Sequence, residues 1–81
     1  MRFPLQTKVH IRYDSMYSWQ GIDENGQRAV GIIVGFYDHK EYIYEIKWPH
    51  SSYTNYYRND DIVFVSAPTN EELLESITNE L

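Results

Sequence analysis

Between residues 7 and 65 the chain breaks into short runs of strand-forming residues, each closed by a polar turn. Such runs are too short for the helices of a globular core, and their alternation has the period of a pleated strand. The clearest is TKVHIRY, residues 7–13, where Val9, Ile11 and Tyr13 share one face and Lys8, His10 and Arg12 the other. It reads as a half-buried strand.

Residues 14–28, DSMYSWQGIDENGQR, lose that period and gain glycines, which predicts a long loop with a turn at Asn25-Gly26. A loop of this length in so short a chain is usually functional or packed on itself. The second strand is AVGIIVGFY, residues 29–37, with Val30, Ile32, Val34 and Phe36 on one face and Gly31, Ile33, Gly35 and Tyr37 on the other. Glycine within a strand marks a bend, a bulge or a close backbone approach, as a strongly curved sheet requires. After a turn at 38–41, the third strand, residues 42–48, sets Tyr42, Tyr44, Ile46 and Trp48 against Ile43, Glu45 and Lys47. Pro49 ends it, because proline cannot donate to the ladder. A short strand at 53–58, a one-turn connector at 59–61 and a last strand at 62–65 follow. The expected fold is all-β, a five-stranded barrel spanning residues 1–68.

The remaining residues, 69–81, differ in kind. Thr69 with Glu72 three positions on forms a capping box, and Leu73, Leu74, Ile77 and Leu81 recur at helical spacing opposite an acidic face. This predicts a short amphipathic helix. So short a helix is marginal alone in water, so its apolar side is expected to dock on the barrel, on a partner or on a second copy as a homodimer. Removing Glu71, Glu72, Glu75 and Glu80 from the net charge of −5 leaves −1 for the rest. A near-neutral body and an acidic tail lack the basic footprint that gives nucleic-acid binders their non-specific affinity, so tight direct binding to nucleic acid is not expected. The acidic tail is either the solvated face of a helix or a surface that meets a basic host protein. The chain has no cysteine, and no run is apolar enough for a signal peptide or a membrane span, which leads to a cytoplasmic expectation.

The aromatic residues divide by strand phase. Tyr13, Tyr44, Trp48 and Tyr57 continue the apolar phase and are expected inside. Tyr17, Trp19, Tyr37 and Tyr56 fall outside it and are the candidate ligand-binding rings, with Asp14 and Arg58 as a polar rim. Exposed rings of this kind suit a peptide or a modified cation. No catalytic or cofactor constellation accompanies them. His10, His39 and His50 have no ligand spacing, so no metal is expected. Ser51-Ser52 beside His50 reads as a turn, since a nucleophile needs an oriented base and an oxyanion site. Asp23-Glu24 and Asp60-Asp61 are adjacent on the chain and point apart.

Five short strands, a long first loop and a one-turn connector before the last strand resemble an SH3-like barrel, the architecture shared by Tudor and KOW modules. Within that class, Val9 to Ile11, the loop from Asp14 to Gly26, Gly31 to Val34, Tyr44 to Trp48 and the pair Tyr57-Arg58 resemble the Mind-bomb/HERC-type domain. The likeness covers residues 7–65. It departs at Pro49-His50-Ser51-Ser52, where that family has an Asp-x-Gly-type turn, and at Asp14-Ser15, where it has tryptophan after the aspartate. The resemblance implies non-catalytic recognition of peptide segments. Together with the size, it points to a small regulator or inhibitor of a larger protein, a form that a small phage or accessory protein would fit. The alternative is a nucleic-acid-associated KOW- or Tudor-like factor that stacks bases on its aromatic rings.

Overall fold

A computed structural model describes residues 2–37 and 43–74. His39, Tyr42, the turn at 38–41 and the tail positions Glu75, Ile77, Glu80 and Leu81 lie outside them. Five strands run β1 Lys8–Ile11, β2 Gly31–Phe36, β3 Tyr44–Lys47, β4 Thr54–Tyr57 and β5 Ile62–Ser66. All neighbours are antiparallel, in the order β4-β3-β2-β1-β5. The ladder ends at β4 on one side and β5 on the other, so the described hydrogen bonds form one open sheet and not a closed barrel. Residues from all five strands nevertheless meet in one buried cluster: Val9, Ile11, Ile33, Tyr44, Ile46, Tyr57 and Ile62, with Ala29 and Trp48 from the flanking segments.

Strand β3 has the expected phase. Tyr44, Ile46 and Trp48 are buried, Glu45 is half-buried and Lys47 exposed. On β4, Tyr57 faces in and Tyr56 out, also as expected.

Two expectations fail. On β2 the inner face is Gly31 and Ile33, while Val30, Val34 and Phe36 are all more than a third exposed. Gly31 faces in because it pairs with Val9, and Ile33 because it pairs with Ile46. The register then shifts between Ile33 and Gly35, and the extra residue, Val34, reverses the phase. Beyond the bulge Phe36 pairs with Tyr44 and tilts against its ring at 5.9–6.1 Å like Phe3, closing the end of the core.

The second failure is Tyr13, which is 74% exposed. β1 stops at Ile11, and Arg12 N–H donates instead to Asp61 O at 2.8 Å. The chain then turns, and the Tyr13 ring lies outside under the Arg28 guanidinium, 3.9 Å from the ring centroid.

The loop folds as a compact unit. Asp23 Oδ1 accepts from the backbone N–H of Asn25 and Gln27, and Gly26 takes a positive φ of 78° in the turn. Ser18–Gly21 forms one 3-10 turn, and Asn59–Asp61 forms another before β5.

At residues 70–74 the chain is helical, and the capping box is formed: Glu72 N–H donates to Thr69 Oγ1, and Thr69 N–H to Glu72 Oε1, both at 3.2 Å. The described part of the tail is held by charge more than by its apolar side. Lys8 Nζ on β1 lies 2.6 Å from Glu72 Oε2, whereas Leu73 and Leu74 are exposed. The Lys8 hydrogen bond, with the Thr69 N–H, keeps the Glu72 carboxyl below its usual range.

Candidate functional site

The interior explains how the surface is organised. Indole N–H is a donor only, so Trp48 Nε1 donates to Tyr57 Oη at 3.0 Å. Tyr57 therefore turns its own O–H outward, where it donates to Gln20 Oε1 at 2.7 Å. Asn55 Nδ2 on β4 donates to the same oxygen at 3.2 Å. This chain runs from the buried core to the Ser18–Gly21 turn and fastens that turn onto β3 and β4. Burial raises the Tyr57 hydroxyl above its ordinary range, which keeps on the oxygen the proton that Gln20 requires. With the folded value raised, that contribution is present below about pH 10 and lost as the pH rises through the folded value.

Gly21 lets the turn lie close to the core. A Cβ there would sit 3.1 Å from Ile11 Cγ1 and 3.4 Å from Trp48 Cη2. His50 adds a second tie, with Nε2 3.2 Å from the Gln20 carbonyl oxygen. Because a carbonyl only accepts, that nitrogen carries the hydrogen.

Two recesses flank the Gln20–Asn55 pair. One, of about 350 Å³, is lined by Trp19, Ile22, Trp48, His50 and Ser51 together with the pair. The other, of about 270 Å³, lies between Tyr17 and Tyr56 and shares the same two amides. Among the described residues, no lining residue of either is an acid, a lysine or an arginine. Trp19 is 70% exposed although its neighbours Gln20 and Gly21 are anchored. Tyr17 is half-buried and packs edge-on against Tyr57, with ring centroids 6.2 Å apart. Tyr56 is exposed and pairs with Tyr37 at 5.0 Å.

The four candidate rings thus form one continuous surface, from Trp19 across Gln20 and Asn55 to Tyr17, Tyr56 and Tyr37. Asp14 is placed elsewhere. It lines a separate recess with Arg12, Tyr13, Arg28 and Val63, and its carboxylate accepts from Arg12 Nε at 3.0 Å, which holds it below its usual range. Arg58 is exposed and opens the Asn59–Asp61 turn, where its backbone N–H donates to Asp61 Oδ2.

Sequence reasoning did not single out Gln20 or Asn55, because a polar residue in a loop and one on an edge strand carry no periodic signal. Ser51 acts as a turn residue: its Oγ accepts from Tyr53 N–H at 3.1 Å. Among the described residues no three His, Asp or Glu side chains gather as metal ligands, and no helix is long and apolar enough to cross a membrane. In comparisons with known proteins, the chain matches no family model, no curated protein and no solved structure.

The contrast between the two tryptophans gives a direct test of this geometry. Trp48 is 2% exposed and Trp19 is 70% exposed. In a Trp48→Phe variant the remaining emission is expected to be red-shifted and readily quenched by acrylamide or iodide. Trp19 emission shielded from quencher in a folded variant would show the loop folded back over the ring.

Proposed function

We propose that the chain is a non-catalytic protein-interaction module, a small regulator or inhibitor that takes a larger protein on the surface formed by Trp19, Tyr17, Tyr56 and Tyr37. The observation that carries this reading is the exposed Trp19 on an anchored base. A large ring kept in water while its neighbours are tied to the core gives contact area at low entropic cost, and such residues dominate interface hot spots. We read the antiparallel order β4-β3-β2-β1-β5, with β5 returning to β1, as the strand order of an SH3-like barrel. The resemblance to the Mind-bomb/HERC-type domain supports recognition rather than chemistry.

Affinity capture from lysate with wild-type protein, Trp19→Ala and Tyr56→Ala, read by mass spectrometry, tests the proposal. A protein retained by wild type should be lost with either variant, with about 2 kcal/mol or more removed at a hot spot while the thermal melt is unchanged. Retention by both variants would remove the rings from the interface. The same preparations, titrated into labelled single- and double-stranded oligonucleotides, are expected to show no tight binding at physiological salt. Submicromolar binding that weakens steeply with salt would instead favour the KOW- or Tudor-like factor.

A further inference from the structure

We infer that the ridge between the two recesses is a reader of peptide main chain, and that the ligand is an extended, uncharged peptide segment. This rests on the interaction reading above and specifies what the surface takes. The argument starts at Trp48. Its indole can only donate, so the hydrogen-bond direction is set at the core and passes outward through Tyr57 to Gln20. Gln20 Oε1 receives two hydrogens, from Tyr57 Oη and Asn55 Nδ2, and this settles which end of each amide points where. With Oε1 taken by Tyr57 and Asn55, Gln20 has its Nε2 left as a donor. Asn55, having given its Nδ2 to Gln20, presents Oδ1 as an acceptor.

A donor beside an acceptor matches a main-chain amide as it would a nucleobase edge, and a lining with no lysine or arginine among the described residues favours the peptide. In an extended chain the N–H and C=O of a single residue point to the same side, as they do along a strand edge. Gln20 Nε2 would donate to that carbonyl and Asn55 Oδ1 would accept from that N–H. The residues before and after it, about 7 Å apart in an extended chain, would fall over the recesses on either side. One offers Trp19, Ile22, Trp48 and His50, the other Tyr17 and Tyr56. Walls that mix aromatic rings with neutral polar groups, with no lysine, arginine or acid among the described residues, favour uncharged side chains, aromatic ones included, over charged ones. Binding should therefore change little between low and high salt, unlike that of a phosphate ligand.

The test uses a library of acetylated, amidated hexapeptides presented to the whole chain, followed by titration of the best binder. Gln20→Glu keeps an oxygen for Tyr57 and Asn55 but replaces the remaining donor by an acceptor. Asn55→Ala, at an exposed position, removes the ligand's acceptor. Each is expected to weaken the selected peptide about tenfold or more, the scale of a lost hydrogen bond with a group left unpaired. An ester scan of the peptide should find one residue whose N–H is required. If Trp19→Ala abolishes binding while Gln20→Glu and Asn55→Ala leave it intact, the rings act alone. The main-chain reader is then overturned and the interaction reading survives. If wild type captures no peptide, the inference also falls, and the lysate experiment judges the broader reading independently. Should Gln20→Glu melt early, Asn55→Ala and the ester scan decide the matter.

Discussion

Replacing Trp48 by alanine is expected to lower the stability of the fold by about 3–5 kcal/mol, the range for large aromatic side chains removed from cores. The whole folding free energy of a domain is about 5–15 kcal/mol, and a short chain stands toward its lower end, so much of the population should be unfolded at ambient temperature. The size of the effect follows from how much the ring holds. It is 2% exposed, meets Tyr57 edge-on with centroids 6.0 Å apart, and lies against the positions of both Gly21 and Gly31. It also supplies the donor that orients Tyr57 and, through it, Gln20. Trp48→Phe separates these roles. It keeps an aromatic ring but removes the N–H, and should cost about 1–3 kcal/mol as the price of leaving Tyr57 without its donor. Urea titrations of the three proteins, followed by circular dichroism, order them as wild type, Phe, Ala. A near-wild-type midpoint for Trp48→Ala would take Trp48 out of the core and, with it, the assigned phase of β3.

The difference between β2 and β3 shows which parts of the fold the sequence expresses. On β3 one face carries Tyr44, Ile46 and Trp48 and the other Glu45 and Lys47, so alternation alone identifies the inside. On β2 both faces offer valine or isoleucine. Apolar count favours Val30, Ile32, Val34 and Phe36, yet the packed face is the one bearing glycine. Glycine adds nothing to a hydrophobic pattern, and its burial records the size of its neighbours, which lie far along the chain. The bulge at Val34 is hidden for the same reason, because register depends on both strands.

Tyr13 misled because alternation gives no sign of where a strand stops. The backbone bond from Arg12 to Asp61 and the stacking of Arg28 are tertiary events. The candidate rings Trp19, Tyr37 and Tyr56 were legible by exclusion, being apolar residues out of phase with a strand. Gln20 and Asn55 were not, since their value arises from the polarity of a buried indole two and three hydrogen bonds away.

Gly31 provides the second large effect. A methyl group at this position would stand 2.6 Å from Ile46 Cγ2, 2.7 Å from Trp48 Cζ3 and 2.9 Å from Trp48 Cη2. All three are side-chain atoms, but they belong to residues that are 0% and 2% exposed and have little room to withdraw. Gly31→Ala should therefore destabilise the fold by about 1–3 kcal/mol through overpacking. This outweighs the gain of up to about 1 kcal/mol that replacing glycine brings by restricting the unfolded chain. The coupling is more diagnostic than the single value. Phenylalanine at 48 lacks the outer part of the indole that approaches Gly31. In Gly31→Ala/Trp48→Phe the new methyl should lose its two indole clashes while still meeting Ile46 Cγ2, and the double variant should be more stable than the sum of the two singles predicts by at least about 0.5 kcal/mol. The four proteins make a complete cycle in a single set of urea titrations. Additivity within about 0.3 kcal/mol would mean that the two positions do not touch. The inner face of β2 would then have to be the Val30-to-Phe36 face after all.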